Sequence, residues 1–140
     1  MDADKLEQKY LEYIRREGSI LLLSSEYALQ LLDDCEASDA RFLGVEAFRL
    51  FDNGGIQPAM SYSNVSFGTA QDVEGELHVE LGRRLHSAWI ERSDAIKATK
   101  ALIEKGTADG YPWYEVSLEH PQTGEPLFFR RTESSELTAV

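Results

Sequence analysis

Glu74, His78 and His86 are the residues of this chain whose types could hold a divalent metal. If residues 74–86 form a helix, Glu74 and His78 share a face one turn apart, and His86 follows about two turns later. One carboxylate and two imidazoles then converge, as a small metal-dependent hydrolase requires. The plainer reading is three polar side chains on a solvated amphipathic face, which has no reason to retain an ion. His78-Val-Glu80 matches the His-x-Glu half of a zinc deaminase, but the Pro-Cys-x-x-Cys half is missing. No phosphate-cradling glycine loop, dinucleotide fingerprint or nucleophile elbow occurs in the sequence. The expectation is no enzyme, no metal and no cofactor.

Cys35 is the only cysteine, which excludes an internal disulfide and every multi-cysteine zinc pattern. Asp33 and Asp34 beside it raise a thiol pKa and so oppose thiolate formation. A buried cysteine on a helix face is expected. Glu46 interrupts an apolar run, Phe42 to Phe51. A buried carboxylate there needs a cation, with Arg83, Arg84 and Arg130 as candidates, so Glu46 is expected in a structural ion pair. Trp89, Trp113 and Tyr114 read most simply as core or sheet-face aromatics; a pocket lined by Tyr62, Trp89 and Trp113 would suit a ligand-binding or regulatory adaptor module.

The acids carry more information. The chain has 140 residues, 14 Lys+Arg against 25 Asp+Glu, and a net charge of −11, so nucleic acid is not an expected partner. Between Arg16 and Arg41 lie six acids and no basic residue: Glu17, Glu26, Asp33, Asp34, Glu36 and Asp39. Between Arg49 and Arg83 lie five more: Asp52, Asp72, Glu74, Glu76 and Glu80. Crowded like charges cost stability. Solubility is one explanation; a surface that steers a basic protein partner is the sharper one. On that reading Asp33, Asp34, Glu36, Asp39, Asp72, Glu74, Glu76 and Glu80 form or border the partner surface, with 33–39 ahead of 72–80.

These groups need elements to position them. At 42% hydrophobic and 28% charged, the composition is that of a globular chain, and 140 residues fit a single domain, 1–140. The longest apolar run, Ile20 to Leu23, is too short to cross a membrane, and the acidic N-terminus lacks a signal-peptide h-region, so a cytoplasmic protein is expected. Leu6, Tyr10, Tyr13 and Ile14 predict a helix over 4–16, opened by an Asp4–Glu7 capping box and stopped by Gly18. A second helix runs from Ser24 or Ser25 to about Cys35, with Ser19 as a rival cap. Phe42–Phe51 predicts a strand covered on both faces, Phe42 and Phe48 projecting one way and Val45 and Ala47 the other. Asp52-Asn53-Gly54-Gly55 predicts the hairpin connection and Ile56–Phe67 the returning strand, with Pro58 confined to an edge or irregular position. Gly68–Gly75 reads as loop.

Over 76–92 the evidence divides. Leu77, Leu81, Leu85 and Trp89 at four-residue spacing favour a helix over 76–87, whereas Leu77-His-Val-Glu-Leu81 alternates as a strand does. The helix is the preferred reading. A further helix spans Asp94–Lys105, capped by Ser93 and closed by Gly106. Trp113–Glu119 and Leu127–Arg131 predict a last hairpin, and residues 132–140 a frayed tail. Together these predict an α+β fold: an antiparallel sheet built from hairpins, with helices packed on one face.

Leu43-Gly44-Val45-Glu46, then Phe48, then Gly55-Ile56-Gln57-Pro58 lie within the stretch Arg41–Pro58. This stretch is similar to a family of bacterial immunity proteins from polymorphic-toxin loci, catalogued as immunity protein 40. The match covers about 18 of the residues, and a compatible layout of helices extends it further. The resemblance implies a cytoplasmic protein that binds and neutralises a cognate toxin C-terminal domain without catalysis of its own. Many such toxins are basic nucleases, whose phosphate-attracting clefts an acidic protein can occupy. The resemblance carries over no contact residue.

Overall fold

The computed structural model describes residues 2–64, 76–81, 84–89 and 92–128; residues 64, 76–81, 84–89 and 92 are described by their backbone. Helix α1 spans Ala3–Tyr10 and a 3-10 turn follows at Leu11–Tyr13. Strands β1 (Arg15–Glu17) and β2 (Ile20–Ser24) form a hairpin, and α2 runs from Ser25 to Glu36. Strands β3 (Arg41–Leu50) and β4 (Ile56–Asn64) form the next hairpin, and β5 (Glu76–Leu81) and β6 (Arg84–Trp89) a third. Helix α3 (Arg92–Ala108) and β7 (Trp113–Glu119) complete the set. The main sheet is antiparallel in the order β1-β2-β7-β3-β4, and β5–β6 is a separate two-stranded ladder. The fold is α+β. No helix among the described residues is long and apolar enough to cross a membrane.

The core lies between the helices and one face of the sheet. Leu6 and Tyr10 of α1, Leu31, Leu32 and Cys35 of α2, and Ile96 and Ile103 of α3 meet Leu23, Val45, Tyr114 and Leu118 of the sheet. Burying these side chains is the main favourable term in forming the fold. Thr99, also fully buried, donates its hydroxyl to the Ala95 carbonyl at 2.8 Å and so brings no unpaired polar group inside.

Several expectations are corrected here. The first helix ends at Tyr10, because Arg15–Leu22 gains more by pairing as a hairpin. Gly18, at φ +60°, supplies the left-handed turn residue of that hairpin, the same backbone freedom that reads as a helix stop. Asp2, not Asp4, caps α1, accepting from the Lys5 N–H at 2.9 Å. Glu7 is buried and accepts the Phe128 N–H at 2.6 Å. Ser19 caps nothing in this arrangement, since α2 begins at Ser25, whose N–H donates to the Pro112 carbonyl.

Phe42 and Val45 share one core rather than opposite faces. A β-bulge between Phe42 and Gly44, with Gly44 at φ 151°, adds one residue and reverses the alternation. The Phe51–Gly55 turn and the β3–β4 hairpin form as expected, with Pro58 on the sheet's β4 edge, where a missing N–H costs nothing. Residues 76–81 and 84–89 pair as antiparallel strands and are not helical. Helix α3 extends from Arg92 to Ala108, so Ser93 and Gly106 lie inside it. Gly106 is small because a Cβ there would run into the Tyr114 hydroxyl and crowd the Tyr62 ring. Of the expected final strand at Leu127–Arg131, Leu127 and Phe128 are turn residues, following an isolated bridge of Glu119 with Pro126. The remaining residues of that stretch, the 68–75 loop and the 132–140 tail lie outside the described residues.

Candidate functional site

The β2–β7 ladder consists of two register pairs, Leu23 with Tyr114 and Ser24 with Trp113. Beyond them the two strands part, and an open cleft of about 310 Å³ lies where further pairs would form. Ile14, Leu21 and Leu23 line one side, Val116 and Leu118 the other, and Leu127 completes the apolar wall. Glu115 is the one ionisable side chain among the described residues of this lining. Its Oε2 accepts the Leu21 N–H at 2.8 Å, so a carboxylate takes the place of a ladder carbonyl.

Directly across the β3–β7 ladder from Glu115 stands Glu46. Opposed residues of an antiparallel pair lie on one face with Cβ atoms about 5 Å apart, and like charges there destabilise the sheet. Burial pushes the Glu115 carboxyl above the usual range, the Leu21 N–H pulls it back in part, and the Glu46 charge pushes it further up. Neither glutamate has an ion-pair partner among the described residues. The arginines expected to pair with Glu46, namely Arg83, Arg84 and Arg130, lie outside the described side chains.

The acids of 33–39 are tied into the helical layer. Asp34 accepts from Lys9 Nζ at 2.7 Å and Tyr10 Oη at 2.6 Å. Burial opposes the Asp34 charge, but these two hydrogen bonds and the lysine charge outweigh it and hold the carboxyl below its ordinary value. Burial, and then the same Asp34 contact, push the Tyr10 phenol up. Asp33 pairs with Lys100 of α3. Asp39 accepts the Ala3 N–H at 2.8 Å and so ties the start of α1 to the end of α2. Glu36 is exposed beside α3. Asp33, Asp34 and Asp39 thus hold elements together.

Of the second run, Glu76 stands opposite Trp89 and Glu80 opposite Leu85 in the β5–β6 ladder. Asp72 and Glu74 lie outside the described residues. His78 pairs with Ser87 and His86 with Val79, which places the two histidines at positions of opposite parity. The helical face that would bring both imidazoles together is absent. Cys35 is fully buried in the core, as a structural cysteine is. Tyr62 and Trp113 do not line one pocket: Tyr62 packs under Gly106 of α3, while Trp113 carries the Arg15 guanidinium 5.2 Å from its ring on the other side of the sheet; the Trp89 side chain lies outside the described residues.

Glu115 escapes a reading of the sequence because Trp113–Glu119 alternates normally and a glutamate at a polar position of a strand attracts no notice. Its meaning comes from the register with Glu46, and register is non-local. No family model, curated protein or solved structure matches the chain. The site rests on the chain's own geometry.

Proposed function

We propose that this chain is a non-catalytic binding protein of the immunity type, which captures and neutralises a basic toxin domain in the cytoplasm. The observation that carries the reading is the Glu46–Glu115 pair: two opposed carboxylates, without a described cation, beside an open apolar cleft. Such an arrangement costs the free protein stability, and a cationic partner relieves that cost on binding. The net charge of −11 supports the same partner, since an acidic surface speeds the approach of a basic one. Asp33 and Glu36, exposed on α2, belong to the steering rim, where charges act on the rate of encounter. The resemblance of Arg41–Pro58 to immunity proteins places the opposed glutamate Glu46 inside the resembling stretch.

The test is co-expression with a basic toxin C-terminal domain encoded beside this chain, followed by capture through a tag on either protein. A stoichiometric complex that abolishes toxicity supports the reading. Persistent toxicity with no complex overturns it.

A further inference from the structure

We draw no further inference here: the strongest candidate, the apolar cleft where β2 and β7 part, belongs to the site already described, and nothing in the structure shows what covers it.

Discussion

Glu46 and Glu115 stand directly opposite each other across the β3–β7 ladder, and the Glu115 carboxylate reaches sideways to take the Leu21 N–H where the β2–β7 ladder ends. Two strands of the sheet thus meet through a side chain, with a second negative charge alongside. An arrangement of this kind works against stability and has consequences that can be measured.

The first is a pH dependence. The folded-state pKa of Glu115 is raised, so the native state holds the proton more tightly than the unfolded chain does. The stability linked to this group is present below the unfolded pKa of about 4.3 and is lost as pH rises through the folded value. Glu115→Gln keeps the hydrogen bond and removes the titration. Thermal unfolding between about pH 4 and pH 7 should show the variant gaining on the wild type as pH rises. Parallel curves would show that Glu115 does not carry the strain assigned to it.

A second prediction concerns the Asp34 junction, and its sign is opposite. Asp34 is held below its ordinary pKa, so its contribution is present above the unfolded value and is lost as pH falls through the folded one. Asp34→Ala strands the hydroxyl of Tyr10, whose residue is 1% exposed, and should cost about 1–3 kcal/mol in chemical denaturation. Tyr10→Phe combined with Asp34→Ala should cost less than the two single changes added together, because the donor and the acceptor leave as a pair.

Gly106 supplies the third. Alanine is intrinsically better than glycine inside a helix by about 1 kcal/mol. At Gly106 the added methyl group meets the Tyr114 hydroxyl, which donates to the Ile103 carbonyl at 3.0 Å, and the Tyr62 side chain. Gly106→Ala should therefore destabilise, by about 1–3 kcal/mol. A rise in melting temperature would mean that α3 does not sit this close to the sheet.

Much of the fold can be read from local pattern, and the failures share a cause. The Phe51–Gly55 turn announces itself because Asn53, Gly54 and Gly55 tolerate its backbone, and α2 follows from one apolar stripe through Ala28, Leu32 and Cys35. Gly18 is ambiguous, since a helix stop and a hairpin turn demand the same left-handed conformation. Leu77, Leu81 and Leu85 satisfy a helical spacing and a strand alternation together, and pairing with 84–89 decides for the strand. The bulge at Gly44 reverses faces in a way no alternation count detects. Of the site, Glu46 is conspicuous in sequence because it breaks an apolar run, whereas Glu115 is not. Their relationship exists only through the register that joins strands 69 positions apart in the chain, Glu46 with Glu115.

The central claim, that a basic partner is steered by the acidic rim and anchored at the glutamate pair, is tested most directly by stopped-flow kinetics with the captured toxin domain. The comparison is wild type, Asp33→Lys and Glu115→Gln at several salt concentrations. The account predicts an association rate that falls with salt in the wild type, falls less steeply in Asp33→Lys, and changes little in Glu115→Gln. It predicts that Glu115→Gln instead speeds dissociation by at least about tenfold, because a desolvated charge pair is lost. Association and dissociation rates that are independent of salt and unchanged in both variants would contradict it.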